Sequence, residues 1–301
     1  MLSEKIENKK LRDALEHYVS HWNDFTHPGL FSLGCEAVGG HPDKAIRVQA
    51  AIAMMAAAFD IHDDIIDESD EKHGVPTVFG KYGKDIALLL GNAFLIKGFT
   101  SFSRSLGELE RKKVHEIFDV LQTSLFELGN AHGLELNLKE RPGAEPEEYM
   151  RVVEMKAASI ESDMKIGAII GGGTDGQIRA LARYGRILGI VGTLREEFVD
   201  VFEPDELSHR VQSEYLPIPV LYAMQDKEAE HEIRKVLAGG KITKGVANEL
   251  VNAVFETKNV KSLKRKMECL VHEGIHLASN VRRLNTRNQL RSLAASTLED
   301  L

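Results

Sequence analysis

Residues Ala51–Gly83 read AIAMMAAAFDIHDDIIDESDEKHGVPTVFGKYG, an apolar run that passes directly into a cluster of acids. Asp60, Asp63, Asp64, Asp67, Glu68, Asp70 and Glu71 all lie in this stretch. The apolar part reads as a buried helix from about residue 43 to 67, with Pro42 just inside its start and HGVPT breaking it. Residues four apart share a helix face, so Asp63 and Asp67 point together. Asp60, Asp64 and Asp67 share the i, i+4, i+7 face.

Helical periodicity continues on both sides. IENKKLRDALEHYVSHW places Ile6, Leu11, Leu15 and Val19 on one stripe. Further helical patterns cover about 79–106, 108–138, 146–171, 176–203, 216–225, 228–238, 243–256, 260–284 and 286–299. They are separated by breakers such as RPGAEP, GGGTDG, FEPDE and AGGKIT. None of these reads as an interdomain linker. The expectation is one all-α domain over residues 1–301, a bundle of long, mostly antiparallel helices around a central apolar cavity.

The 301 residues are 43% hydrophobic, enough for a sizeable core, and the net charge of −8 argues against a nucleic-acid surface. Cys35 and Cys269 form neither a Cys-x-x-Cys pair nor a disulfide framework, which favours a reducing compartment. MLSEKIENKKLRDALEHYV lacks the apolar core and cleavage site of a secretory leader. The apolar segments read as too short and too interrupted to span a bilayer. A cytoplasmic protein is expected.

The acidic stretch has an echo. TLREEFVDVFEPDE, residues Thr193–Glu206, places Glu196, Glu197 and Asp200 at the same i, i+1, i+4 offsets as Asp63, Asp64 and Asp67. Like charges this close raise each other's pKa unless a cation neutralises them. Oxygen-only clusters suit hard ions, above all Mg²⁺, which binds through one or two carboxylates, waters and substrate phosphates. Two such clusters would hold a diphosphate through metal ions. The competing reading is an acidic, solvated helix end. Arg195, beside the second cluster, would pair with it in a structural role.

In its motifs the chain resembles the trans-isoprenyl diphosphate synthases, also called polyprenyl synthetases. HDDIIDESDEKHGVPTVFGKYG is similar to that family's first aspartate-rich region, and LGCEAVGG to the helix before it. EEYMRVVEMKAAS is similar to its Tyr…Lys-Thr helix, and YGRILGI…EEFVDV…PIPVLYA to its second aspartate-rich region. The resemblance implies an enzyme that binds an allylic isoprenoid diphosphate through Mg²⁺ and ionises it, after which the double bond of isopentenyl diphosphate attacks the cation. It implies metal ligands at Asp63, Asp64 and Asp67 and at Glu196, Glu197 and Asp200. Lys72, His73 and Lys156 would meet the substrate, the lysines through charge-assisted bonds to its diphosphate. Phe59 would gate chain length, or be an ordinary core aromatic. A homodimer is implied as well.

The departures from the family pattern fall mainly on one substrate. Asp24 and Phe25 stand where Lys and Arg are expected for isopentenyl diphosphate, His27 for a second Arg, and Ala56 for a His. Each charge-assisted bond is worth about 1.5–3 kcal/mol, and about 1.4 kcal/mol is tenfold in affinity. Asn92, Ala157, Gly192, Thr193 and Tyr215 also depart from the pattern. Two alternatives follow: a terpene-synthase-like enzyme that ionises without elongating, and a non-catalytic partner subunit of a heteromeric prenyl synthase.

Overall fold

A computed structural model describes residues 5–72, 74–107, 109–139, 145–213, 216–237, 244–299 and 301. The fold is all-α, as the periodicity predicts, with two strands of two residues each among the described residues. The chain packs as two compact units, residues 1–32 with 41–116 and residues 33–40 with 117–301.

The first unit contains α1 (Lys9–His21), the start of α2 (Thr26–Ala37), α3 (Ile46–Ile66), β1 (Glu71–Lys72), β2 (Val75–Pro76), α4 (Val78–Tyr82) and α5 (Lys84–Ser105). The long pattern from residue 43 resolves into a 3₁₀ turn, Pro42–Ala45, followed by α3. The pattern over 79–106 resolves into α4 and α5, because Gly83 between them takes φ +86°. α3 lies along α5. Ala57, Ala58, Ile61, Leu90 and Phe94 form the core there with Ala14 and Leu15 of α1. Gly98 of α5 lets the two helices approach closely, since a Cβ there would stand 2.6 Å from Met55 Cγ and 3.2 Å from the Ala51 carbonyl oxygen of α3.

The end of α3 is built by its own backbone. Glu68 takes the left-handed conformation at φ 53°, and the Ser69 N–H donates to the Asp64 carbonyl at 3.0 Å. That is the bond that closes a helix whose next residue is left-handed. β1 and β2 then pair antiparallel, Lys72 opposite Val75, with Gly74 at φ +77° in the connection. Thr77 pins the hairpin: its hydroxyl donates to the Ser69 carbonyl at 2.7 Å and accepts from the Gly80 N–H at 2.9 Å. A Cβ at Gly80 would stand 2.1 Å from the Asp70 carbonyl oxygen, so only glycine lets the chain fold back this tightly. Lys72 is thereby turned towards the last turns of α3.

α5 has 22 residues and is long and apolar enough, by length and composition, to cross a membrane. This corrects the reading that every apolar segment is too short and interrupted, since no more than two charged residues fall in the apolar window of α5. A helix lying along another helix meets the same test, and α5 lies along α3.

α6 (Arg111–Lys139) begins in the first unit and continues into the second. The second unit adds α7 (Pro146–Lys156), α8 (Ala158–Ile170), α9 (Asp175–Asp200), α10 (Pro204–Ser213), α11 (Ile218–Ala223), α12 (Lys227–Leu237), α13 (Lys244–Phe255), α14 (Lys258–Ser279) and α15 (Leu284–Ser296). α9 starts with a capping box between Thr174 and Gln177. Buried Val153, Leu194, Phe198, Val254 and Met267 share its core. Gly189 receives the α7–α8 junction: a Cβ there would be 2.7 Å from the Ala157 Cβ. Arg186 of α9 ties neighbouring helices, donating to Glu127 of α6 at 2.7 and 3.0 Å, to the Glu154 carbonyl of α7 at 2.7 Å, and to Glu161 of α8.

Two expectations change here. The single helix over 146–171 is interrupted at Ala157, where the Ser159 hydroxyl donates back to the Lys156 carbonyl. FEPDE, read as a breaker, is also the start of α10, with Pro204 as its first residue. Proline suits that position because the N–H it lacks has no helical partner there.

Candidate active site

Asp60, Asp63 and Asp64 lie on the last turns of α3, with Asp67 at its end. Asp64 is buried, while Asp60, Asp63 and Asp67 are half-buried. The Lys72 ammonium sits 2.9 Å from Asp60 Oδ1 and 2.6 Å from Asp64 Oδ1. Tyr18 of α1 donates its hydroxyl to Asp60 Oδ2 at 3.0 Å. Burial pushes the Asp64 carboxyl up to about 6 against the pull of Lys72, with the Asp60 and Asp67 charges adding to the rise. Burial pulls the Lys72 ammonium down, but Asp60 and Asp64 outweigh it and hold it above the ordinary lysine value. Burial and the Asp60 charge push the Tyr18 phenol up. Phe59 is half-buried, one turn before Asp63. His73 lies outside the described residues.

In the second unit, Glu197 and Asp200 meet on a residue that the motif spacing does not single out, Arg210 of α10. Arg210 Nη2 lies 2.9 Å from both Glu197 oxygens, and Nη1 donates to Asp200 Oδ2 at 2.9 Å. The Tyr149 hydroxyl donates to Glu197 Oε1 at 3.0 Å, and the Ile218 N–H donates to Oε2 at 2.9 Å. Burial pushes Asp200 up to about 7, with Arg210 pulling it down and Glu197 pushing it further up. One guanidinium between two carboxylates compensates one charge, so the second acid resists ionising. Glu196 is exposed. Arg195 has a buried Nε without a hydrogen-bond partner. It is one and two residues from Glu196 and Glu197, and neighbours at that spacing do not face each other on a helix.

Lys156 pairs with Glu135 of α6 at 2.5 Å. The Tyr149 hydroxyl reaches the same carboxylate at 3.4 Å. A polar line thus runs Lys156–Glu135–Tyr149–Glu197–Arg210–Asp200 through the second unit. Tyr18, Glu135 and Arg210 carry no motif signal, and Tyr149 is visible only as the tyrosine of EEYMRVVEMKAAS.

The segment NDFTHP is engaged locally. Asp24 Oδ1 accepts from the Thr26 N–H at 2.8 Å at the start of α2, and Phe25, 66% exposed, lies against Trp22.

Among the described residues no three His, Cys, Asp or Glu side chains stand ready to hold a metal ion. At each acidic cluster a cation of the chain's own lies between carboxylates, and the two differ. The Lys72 side chain is 43% exposed on a hairpin, whereas that of Arg210 is 7% exposed. The hard-oxygen donors Asp63, Asp64 and Asp67 suit Mg²⁺ once Lys72 yields its place. At the second cluster both Glu197 oxygens are engaged by Arg210, Tyr149 and the Ile218 N–H.

The chain belongs to the polyprenyl synthetase family, whose model matches residues 8–257. It is similar to the short chain isoprenyl diphosphate synthase of Methanothermobacter thermautotrophicus, 34% identical over 202 residues that make up 67% of this chain and 61% of that protein. It is 29% identical over 205 residues to the geranylgeranyl diphosphate synthase of Methanosarcina mazei, 68% of this chain and 63% of that one. The chain thus matches about three fifths of the length of these curated relatives, 61% and 63%. Geranylgeranyl pyrophosphate synthetase from Pyrococcus horikoshii shares the fold at a TM-score of 0.87 and 22% identity, over 100% of this chain and 93% of that one. So does geranylgeranyl pyrophosphate synthase from Corynebacterium glutamicum, solved with isoprenyl diphosphate and magnesium, at a TM-score of 0.82 and 22% identity over 95% and 90%.

Proposed function

We propose that the chain binds an allylic isoprenoid diphosphate through Mg²⁺ at Asp63, Asp64 and Asp67, ionises it, and passes the prenyl group to isopentenyl diphosphate. The observation that carries this reading is the foot of α3, where carboxylates one turn apart end an apolar helix and a lysine ammonium lies between two of them. The relatives named as isoprenyl diphosphate synthases, and the related enzyme solved with isoprenyl diphosphate and magnesium, support it. Mg²⁺ at these acids would offset the charge that grows on the departing diphosphate.

The chain's own residues do the rest. Lys72, on a pinned but exposed hairpin, exchanges Asp60 and Asp64 for diphosphate oxygens. Glu135 holds the Lys156 ammonium in one orientation. Tyr18 fixes Asp60 so that the acids keep their spacing when Lys72 leaves.

Replacing Lys72 by methionine has a two-sided signature. Loss of one charge-assisted bond, about 1.5–3 kcal/mol, raises the allylic diphosphate KM about 10- to 100-fold. Mn²⁺ binding in the absence of diphosphate tightens, because the competing ammonium is gone. Isothermal titration of both ligands checks this, and weaker Mn²⁺ binding in Lys72→Met contradicts it.

A second reading, ionisation without elongation, is favoured by one observation. Asp24 and Phe25 stand where cations for isopentenyl diphosphate belong, and Asp24 is spent on the Thr26 N–H.

The proposed assembly is a homodimer. α5 leaves Leu88, Leu89 and Ile96 in water in the single chain, 46%, 55% and 68% exposed, and Leu89 and Ile96 share a helix face. A second copy covering this face removes that cost. Light scattering of the full chain is expected to give two copies, and Ile96→Glu one. A monomeric parent chain contradicts the assignment.

A further inference from the structure

We propose that Arg210 is the resident cation of the second acidic cluster, so that Glu197 and Asp200 are held by the chain itself and metal ions are recruited at the first cluster alone. The second half of this statement rests on the functional reading of Asp63, Asp64 and Asp67 given above.

Three donor groups of the chain, the Tyr149 hydroxyl, one Arg210 nitrogen shared between both oxygens and the Ile218 N–H, engage the Glu197 carboxylate. Oε1 accepts from the Tyr149 hydroxyl at 3.0 Å and from Arg210 at 2.9 Å. Oε2 accepts from Arg210 at 2.9 Å and from the Ile218 N–H at 2.9 Å. Both oxygens of Glu197 are thus engaged by the chain's own donors, and a metal ion would have to displace Arg210 to reach them. The other guanidinium nitrogen, Nη1, is spent on Asp200 at 2.9 Å. Glu197 is 4% exposed and Arg210 6%, so a divalent ion entering here would strand a guanidinium that never deprotonates. Removing one partner of a buried ion pair is far costlier than replacing both.

The contrast with Lys72 is what makes the assignment specific. Lys72 has a flexible stem, stands on the hairpin and is 43% exposed, so it can leave. Arg210 is fixed by two carboxylates and by the Tyr149 hydroxyl at 3.1 Å. Its role is to position, with no contact to substrate.

Two measurements test this. Mn²⁺ binding to the full chain is followed by electron paramagnetic resonance with inorganic diphosphate present. Asp63→Asn is expected to weaken it at least tenfold, and Asp200→Asn and Glu196→Gln to leave it within twofold. A tenfold loss, or fewer ions bound, in either second-cluster variant overturns the proposal. If the parent chain binds no Mn²⁺ at all, the functional reading fails, and with it the assignment of metals to the first cluster.

The resident cation is then judged by the second measurement, thermal unfolding in EDTA. Arg210→Gln is expected to lower the midpoint, and adding Glu197→Gln to recover more than half of the loss, because the more deeply buried of the two carboxylates that Arg210 pairs is then neutral. A midpoint equal to the parent's in Arg210→Gln, or no recovery in the double variant, overturns it.

Discussion

Asp63→Ala is expected to lower Mg²⁺-dependent release of diphosphate from an allylic substrate about 10³-fold. The departing diphosphate gathers negative charge as the carbon–oxygen bond breaks, and a metal held at the foot of α3 is worth several kcal/mol there. At about 1.36 kcal/mol per decade, three decades correspond to roughly 4 kcal/mol. The substitution removes a half-buried side chain near the end of a helix, so stability is expected to move by less than about 1 kcal/mol. Release assays beside thermal unfolding separate the two effects. A loss smaller than tenfold in a stably folded variant would mean that Asp63 is not a metal ligand.

The second large effect is on stability against pH. Burial holds Asp200 at about 7 and Asp64 at about 6, both above the ordinary 3.8. A raised value means that the folded chain binds the proton more tightly than the unfolded chain does. The stabilisation from these groups is therefore complete below about pH 4. It is lost as pH rises through 6 for Asp64 and through 7 for Asp200. For Asp200 the contribution is on the order of 4 kcal/mol.

Asp200→Asn removes the titration while keeping an acceptor for Arg210. It is expected to be more stable than the parent at pH 8 by a few kcal/mol, the gain vanishing near pH 4. Denaturant midpoints at three pH values check this. An Asp200→Asn variant less stable than the parent at pH 8 contradicts it, and would mean that the attraction between Arg210 and Asp200 outweighs the cost of burying the carboxylate.

The foot of α3 was legible because everything that makes it is local. The apolar run, acids at helical spacing and the HGVPT breaker lie within one stretch, and the backbone closes the helix one residue after Asp67. The pairing of Lys72 with Asp60 and Asp64 was not legible, since it depends on a hairpin that no periodicity announces. The second cluster was half legible. Its acids follow the same offsets, but the cation on them lies 13 residues beyond Glu197, on a helix hidden behind a proline. Tyr149 is 48 residues from Glu197, and Glu135 is 14 from Tyr149. Such partners are chosen by tertiary packing. Arg195, adjacent in sequence, was the natural candidate, and helix geometry turns it away.

The most direct measurement is diphosphate release from geranyl, farnesyl and geranylgeranyl diphosphates with Mg²⁺, each with and without isopentenyl diphosphate. Release from at least one of them, abolished by EDTA, is the expected result. A requirement for isopentenyl diphosphate together with a longer product establishes elongation, and release without it establishes ionisation alone. No release from any of the three under either condition would contradict the assignment of the α3 acids to allylic diphosphate chemistry.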